Sequence, residues 1–201
     1  MNPSGHLADT YVYDLLATPT VNNFGGFAYD NYAEVTGSED NRAMFVNYCE
    51  GIYVGYKFYE TAAAEGLIDY DKVVQYPFGY GLSYTTFQYS DITLSSKQLN
   101  ADGKLTASVT VTNTGNYDAD EIVQLYIRDL VGSITRPVKE LKGFERIHLK
   151  KGESKQVTFT ITPELLKFYN YDIQYVYEPG EFHVMIGPNS RDVKTTSFEL
   201  K

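Results

Sequence analysis

The feature that most constrains the fold is a series of short segments, in the C-terminal half, in which apolar and polar residues alternate. In one of them Leu105, Ala107, Val109 and Val111 occupy every second position. Side chains of a β-strand point alternately to opposite faces, so this pattern predicts a strand with one buried face. We expect about seven strands, at residues 84–94, 105–112, 121–128, 139–149, 154–162, 181–187 and 193–200.

Clusters of glycine, asparagine, aspartate and proline separate these segments, as expected of tight turns. The turn signals lie at residues 101–103, 113–115, 151–152 and 179–180. Short strands joined by turns at such intervals are typical of a β-sandwich. The sequence therefore predicts a mainly β fold, an antiparallel β-sandwich, for the C-terminal half.

The N-terminal half has a different composition. Residues 1–90 hold 11 acidic and 3 basic residues and 13 of the 19 tyrosines, whereas residues 91–201 hold 15 acidic and 14 basic residues. Tyrosine suits half-buried interfaces and sugar-stacking surfaces alike, so we expect this half to pack against another domain or to contact a ligand. Residues 1–38 contain many proline and glycine breakers and predict an extended loop, with Met1 expected to be a truncation point.

Residues 43–65 are the best helical candidate, because several apolar residues recur there at steps of three and four. Gly51 and Gly55 weaken a helix, so we expect the regular part over residues 53–65, ending at Gly66. Cys49 is interpreted as a small core residue on the apolar face. The residues predicted on that face are Phe45, Tyr48, Cys49, Ile52, Tyr56, Tyr59 and Ala63.

Several classes of function find no support in the composition. The single cysteine excludes an intramolecular disulfide, and His6, His148 and His183 lack metal-ligand spacing, so we expect no metal or cofactor. The acidic N-terminal half argues against nucleic acid as a partner. No apolar run is long enough to cross a membrane, and no signal peptide is present, which favours a cytoplasmic location.

The acidic residues offer few candidates for a site. Glu50 is the exception, because it opens the string Glu-Gly-Ile-Tyr-Val-Gly-Tyr, and either a structural role or a substrate contact is open for it. The other clusters stand in turn-like contexts and are interpreted as solvated surface. They are Asp9 with Asp14, Glu34 with Glu39 and Asp40, and Asp118 with Asp120 and Glu121.

An ordered set of unusual strings carries a family resemblance. It begins with Asn-Pro-Ser-Gly-His-Leu-Ala-Asp-Thr at residues 2–10 and includes Tyr-Pro-Phe-Gly-Tyr-Gly-Leu-Ser-Tyr-Thr-Thr-Phe at residues 76–87. The set resembles the C-terminal region of family 3 glycoside hydrolases, the β-glucosidase and β-xylosidase group, over essentially all 201 residues. The remaining strings lie at residues 48–59, 111–115, 123–127, 136–145 and 178–182.

This resemblance implies a division of the chain. Residues 1–80 would be the end of an α/β-sandwich domain with its linker, and residues 81–201 a fibronectin type III-like (immunoglobulin-like) domain. Gly79 and Gly81 would allow tight turns at the junction, where Pro77, Phe78, Tyr80 and Tyr84 would pin the two parts. Some members permute their domains, so the catalytic (α/β)-barrel could lie on either side. The chain departs from the family pattern at His6-Leu7-Ala8 and in lacking tryptophan near Tyr175 and Tyr177.

The resemblance assigns no catalytic, cofactor-binding or metal-binding residue to this chain. Retaining hydrolysis needs two carboxyl groups, which this family carries in the barrel and further upstream in the α/β-sandwich domain. We therefore expect an accessory part that braces the catalytic domains of a β-glycosidase, its partners. The alternative is a carbohydrate-binding module, whereas an adhesin-type domain leaves residues 2–10 and 76–87 unexplained. The aromatic cluster that would bind oligo- or polysaccharide is Phe168, Tyr169, Tyr171, Tyr175 and Tyr177.

Overall fold

Most of the regular structure is β-strand, concentrated in the C-terminal half. The computed structural model describes residues 2–23, 27–38 and 44–201. The strands are β1 (Tyr11–Val12), β2 (Phe27–Ala28), β3 (Met44–Phe45), β4 (Val74–Tyr76), β5 (Phe87–Tyr89), β6 (Thr93–Leu94), β7 (Gln98–Leu99), β8 (Leu105–Asn113), β9 (Ala119–Asp129), β10 (Glu140–Leu149), β11 (Ser154–Ile161), β12 (Phe168–Tyr169), β13 (Tyr175–Val176), β14 (Gly180–Gly187) and β15 (Lys194–Leu200).

The helices are short and lie mostly in the N-terminal half. They are a 3₁₀ turn (Leu15–Ala17), α1 (Pro19–Asn23), α2 (Tyr32–Thr36), α3 (Tyr56–Ala64), α4 (Tyr70–Val73) and α5 (Pro163–Leu166). Among the described residues, no helix is long and apolar enough to span a bilayer.

Two sheets face each other to form the sandwich. One has five strands in the order β10-β9-β14-β15-β7, and the other has the order β11-β8-β5, with β6 also pairing with β8. Neighbouring strands run antiparallel except β15 and β7, which pair in parallel at the sheet edge. The predicted antiparallel β-sandwich is thus confirmed, with this one parallel pair as an addition.

The core lies between the inner faces of the two sheets. In β8, buried and half-buried residues alternate without exception, which places Leu105, Ala107, Val109 and Val111 inside. Each fully buried aliphatic side chain contributes about 1.5–3 kcal/mol, so this packing is the main source of stability. The facing sheet supplies Val123, Leu125, Ile127, Ile147, Leu149, Phe182, Val184, Ile186, Phe198 and Leu200.

The predicted strand at residues 84–94 divides into β5 and β6. Ser90 lies at the break, where its hydroxyl accepts a hydrogen bond from the backbone N–H of Thr110 at 2.9 Å. A serine side chain that competes for ladder partners in this way interrupts a strand. The two-residue strand β7 was not predicted, because two residues are too few to show an alternating pattern.

The predicted helix at residues 53–65 is confirmed only as α3, and the prediction for the residues before it is wrong. Gly51 and Gly55 have φ of 54° and 58°, a left-handed conformation that prevents a continuous helix. Cys49 lies before this break and is exposed, so it is not a core residue. After α3, the Gly66 N–H donates to the Ala63 carbonyl at 3.1 Å and the Leu67 N–H to the Ala62 carbonyl at 2.8 Å, a glycine-dependent helix end.

The N-terminal segment comprises residues 2–80 where described. Its first part, predicted as an extended loop over residues 1–38, contains β1, the 3₁₀ turn, α1, β2 and α2 within the described ranges. Strands β1 and β4 pair antiparallel. A small second core forms beneath them from Tyr59, Tyr70 and Val74. Tyr59 of α3 belongs to this core, and α3 itself contacts the sandwich, where the Val138 N–H donates to the Thr61 hydroxyl at 3.2 Å.

Candidate functional site at the junction

The N-terminal segment meets the sandwich through a buried ion pair. The Nζ atom of Lys139 lies 2.9 Å from Oε2 of Glu60, and their side chains are only 11% and 3% exposed. Glu60 lies on α3, and Lys139 immediately precedes β10. We call the surface around this pair the junction: one face of α3, residues 76–81, residues 136–141 and residues 187–191.

The other groups of the ion pair are also satisfied. The Oε1 atom of Glu60 accepts hydrogen bonds from the Ser190 hydroxyl at 2.7 Å and from the Tyr70 hydroxyl at 3.0 Å. Lys139 also donates to the backbone carbonyl of Ser190 at 2.6 Å. Burial, together with the Glu60 carboxylate, raises the pKa of Tyr70, so this phenol remains a donor.

Tyr56 lies one turn before Glu60 on the same face of α3. Its hydroxyl accepts a hydrogen bond from the backbone N–H of Leu141 at 2.8 Å. Its ring packs against Phe78 with centroids 4.6 Å apart and meets the edge of Tyr126 at 5.9 Å. Burial raises the pKa of Tyr56 to about 12. The helix is thus fixed to the sandwich by both aromatic packing and polar contacts.

Gly79 brings the linker backbone into contact with the five-stranded sheet. The side chain of Gln124 donates to the carbonyls of Gly79 at 3.3 Å and Pro188 at 2.7 Å, and it accepts from the Tyr126 hydroxyl at 2.5 Å. A Cβ atom at Gly79 would lie 2.3 Å from Gln124 Oε1, and the φ of Gly79 is 80°. The sequence predicts glycine here for a tight turn, and the structure adds a close approach that also requires it.

The start of the chain closes the junction on its other side. The Leu7 N–H donates to the Tyr80 carbonyl at 2.8 Å, and the Gly79 N–H donates to the Leu7 carbonyl at 2.9 Å. His6 forms a bridge with Gly81, and its Nδ1 lies 2.5 Å from the Gly79 carbonyl oxygen. Tyr84, predicted to pin the junction, instead has an exposed ring.

Two of the acidic residues weighed as site candidates from the sequence, Asp9 and Glu50, share a cavity on the N-terminal segment. Asp9 and Glu50 line a cavity of about 500 Å³ together with aromatic side chains such as Tyr53 and Tyr59. Asp9 Oδ1 accepts from the N–H of Thr10 at 2.8 Å, and Glu50 Oε1 accepts from the Thr20 hydroxyl at 3.4 Å. Glu50 is thus half-buried in a structural contact at the edge of this cavity.

The remaining acidic candidates are dispersed. Asp14 caps the 3₁₀ turn by accepting from the N–H of Leu16, and Glu34 is exposed in α2. Glu39 and Asp40 lie outside the described residues. Asp118 accepts from the N–H of Lys151 at 2.8 Å.

Asp120 and Glu121, from the cluster with Asp118, point to opposite faces of the sheet. Asp120 pairs with Arg146 at 2.5 Å and with His148 at 2.6 Å on the outer face of the sheet. Glu121 is buried and accepts from the Tyr89 hydroxyl at 2.7 Å. Burial raises the pKa of Glu121 to about 7. The interpretation of Glu121 as solvated surface is therefore wrong, because consecutive strand residues point to opposite faces.

The predicted aromatic cluster divides in the same way. Phe168 is buried and Tyr177 is half-buried against the core, whereas Tyr169, Tyr171 and Tyr175 are exposed.

Within the described ranges, no group of three His, Cys, Asp or Glu side chains could hold a metal ion.

The sequence reasoning missed the residues at the centre of the junction. Glu60 and Lys139 are 79 positions apart, and neither belongs to a motif with a fixed spacing. A partial signal existed, because Glu60 follows Tyr56 by four residues and so lies on the predicted apolar face. A carboxylate on such a face requires a buried partner.

The comparisons with known proteins agree with this structure at the level of fold and family. Residues 121–190 match the model of the fibronectin type III-like domain. Together with the two-sheet sandwich, this match defines the class of the C-terminal half as a fibronectin type III-like domain.

The relatives extend the similarity to the whole chain. Thermostable β-glucosidase B of Acetivibrio thermocellus is 42% identical over 194 residues, which cover 96% of this chain and 23% of the relative. A putative β-xylosidase of Formosa agariphila is 51% identical over 146 residues, or 73% of this chain and 19% of the relative. The chain thus spans about a quarter or less of the length of these relatives.

A solved structure gives the same result. The GH3 β-glucosidase of Bifidobacterium adolescentis is 33% identical with a TM-score of 0.80, and the match covers 100% of this chain and 26% of that enzyme. The resemblance is therefore confirmed. The chain corresponds to the C-terminal region of family 3 glycoside hydrolases, with its fibronectin type III-like domain.

Proposed function

We propose that this chain is the non-catalytic, bracing part of a retaining β-glycosidase. In this proposal residues 1–80 complete an α/β-sandwich domain, and residues 81–201 form the domain that supports it. The parent enzyme hydrolyses O-glycosyl bonds of β-glycosides, as the names of the relatives suggest. The partners of the chain are the catalytic barrel and the rest of the α/β-sandwich domain.

The observation that carries the proposal is the buried contact between Glu60 and Lys139. An ion pair that is shielded from water and carries further hydrogen bonds on both partners fixes two elements in one relative position, because any displacement leaves a charge without its partner. Tyr56, Phe78 and Gln124 add packing and directional hydrogen bonds around it. Such a rigid joint transmits support from the sandwich to whatever packs on the N-terminal segment.

The N-terminal segment carries exposed apolar surface that is suited to being covered. Of the 22 large apolar or aromatic side chains that are exposed in the described residues, 13 lie in residues 2–80, the shorter part of the chain. They include Tyr11, Tyr13, Leu15 and Leu16, which follow one another closely. A concentration of exposed apolar surface indicates an interaction surface. We assign it to contact with the rest of the α/β-sandwich domain.

In this proposal the chain affects catalysis indirectly, through the position of the catalytic carboxyl groups. Retaining glycosidases depend on a separation of about 5–5.5 Å between two carboxyl groups, and small displacements of reacting groups are costly. The chain contributes by holding the domain that carries the acid/base carboxyl. Asp9 and Glu50 act as structural residues in this proposal, and no residue of the chain is catalytic.

A chimera tests the proposal. This chain would replace the matching region of β-glucosidase B of Acetivibrio thermocellus, and hydrolysis of an aryl β-glucoside and the thermal midpoint would be measured. We expect an active chimera whose midpoint falls when residues 81–201 are deleted. An unchanged midpoint and unchanged activity after that deletion would count against bracing.

A further inference from the structure

The hairpin of β12 and β13 carries an exposed aromatic surface that the junction does not use. Tyr169 and Tyr175 face each other across the hairpin, with ring centroids 4.9 Å apart and exposures of 62% and 51%. Tyr171, in the connecting turn, is 92% exposed. We call residues 168–176 the aromatic hairpin. Tyr169 and Tyr175 stabilise the hairpin as a cross-strand pair. The ring of Tyr171 has no such structural role.

The aromatic hairpin is held in one conformation. On its inner side Phe168 is buried, with the guanidinium of Arg136 4.5 Å from its ring centroid. In the turn, the Oδ1 atom of Asn170 accepts from the N–H groups of Asp172 at 3.0 Å and Gln174 at 2.9 Å. A surface fixed in this way loses little conformational entropy when it binds a ligand.

Ile173 adds an unfavourable conformation at the tip of this turn. Its φ is 59°, and it is the one non-glycine residue with positive φ in the described part of the chain. A β-branched residue in this region costs on the order of 1–3 kcal/mol. Strained residues are concentrated at recognition sites, so the conformation is a second observation that points to function.

The polar groups around the rings suit a neutral ligand. Residues 164–176 contain three formal charges, and two of them, on Glu164 and Lys167, form a pair at 2.7 Å. The remaining net charge of −1 does not favour phosphate groups or anionic membranes. The tyrosine hydroxyls and the exposed side chain of Gln174 provide hydrogen-bonding groups at the edges of the rings.

We propose that the aromatic hairpin is a binding site for a neutral oligosaccharide. A pyranose ring combines a flat face of C–H groups with a rim of hydroxyl groups, and it matches this arrangement of rings and polar atoms. Tyr175 packs against Tyr169 and has the ammonium group of Lys167 5.7 Å from its ring centroid. One sugar ring would therefore stack on Tyr169, with Tyr175 supporting that ring from behind, and Tyr171 would contact the next sugar ring. The site does not depend on Glu60 or Lys139. The oligosaccharide-binding proposal can therefore be wrong while the bracing proposal is right, and the bracing proposal can be wrong while this one is right.

Titration calorimetry of the folded 201-residue chain with cellohexaose, xylohexaose and maltohexaose tests the proposal. We expect at least one of these probes to bind. Replacing a central aromatic contact weakens binding by about tenfold or more. We therefore expect this loss for Tyr169→Ala and for Tyr171→Ala. The Tyr171 side chain is 92% exposed, so Tyr171→Ala separates a loss of binding from a loss of folding. Tyr117→Ala, at an exposed tyrosine outside the hairpin, is the matched control and should bind like the wild type.

Two further variants keep the outcome clear. Tyr169→Phe and Tyr175→Phe retain the rings and should retain stacking, so they should bind more tightly than the alanine variants. Absence of binding to all three probes at millimolar concentration would overturn the proposal. So would equal affinity of Tyr171→Ala and the wild type. If Tyr171→Ala instead lowers the thermal midpoint of the chimera, and no probe binds, the hairpin is a contact with another domain.

Discussion

The ammonium group of Lys139 and the carboxylate of Glu60 lie 2.9 Å apart in the interior of the chain, where the sandwich meets α3. Both groups are removed from water, so each depends on the other for compensation of its charge. Ser190 and Tyr70 complete the arrangement. This contact determines how firmly the N-terminal segment is attached to the fibronectin type III-like domain.

Removing one partner of this pair should destabilise the whole chain. Lys139→Met leaves the Glu60 carboxylate buried without a counter-ion, and we expect a loss of about 3–5 kcal/mol in the free energy of unfolding. Urea denaturation measures this quantity. Asp69→Asn breaks the exposed pair with Lys72 and should have no measurable effect. A Lys139→Met variant as stable as the wild type would show that the junction is not held by this pair.

Gly79 should tolerate no side chain. Gly79→Ala introduces a Cβ that would overlap Gln124 and also places alanine at a φ of 80°. Gly152→Ala is the matched control, because Gly152 has a φ of 77° but open space around it. The conformational cost is about 1–2 kcal/mol and should be common to both variants. The overlap should cost Gly79→Ala a further ~1–3 kcal/mol, so equal stability of the two variants would contradict the close approach.

Stability should fall as pH rises because of Glu121. Its pKa is raised from 4.5 to about 7 by burial, so the folded chain binds more protons than the unfolded chain between these values. The stability from this group is therefore complete below about pH 4.5 and is lost as pH rises through about 7. Glu121→Gln should remove this dependence and be the more stable variant at pH 8, as measured by urea unfolding at pH 5 and pH 8. Glu145→Gln, at an exposed residue of β10, is the control, and an unchanged pH dependence in Glu121→Gln would exclude the assignment.

The sandwich could be predicted from the sequence because it depends on local alternation. Leu105 to Val111 show the period of two directly, and turn residues limit each strand. The junction could not be predicted in the same way. The partnership of Glu60 with Lys139 depends on how α3 is placed on the sheet, and that placement results from tertiary packing.

The errors of the sequence prediction have a similar cause. The spacing of Cys49 from Tyr56 fits a helix, but the left-handed conformations of Gly51 and Gly55 prevent α3 from extending back to Cys49. The proximity of Glu121 to Asp118 and Asp120 in the sequence predicts a surface position for it, and this prediction is wrong. Strand alternation turns it inward, where Tyr89 is its hydrogen-bond partner.

We propose that this chain supports a glycosidase without being one. The most direct test measures hydrolysis of an aryl β-glucoside by the pure 201-residue chain and by the chimera with β-glucosidase B, side by side. We predict turnover by the chimera and no turnover by the chain above a control without protein. Turnover by the chain alone, lost in Asp9→Asn or Glu50→Gln, would contradict this account and place catalytic residues within it.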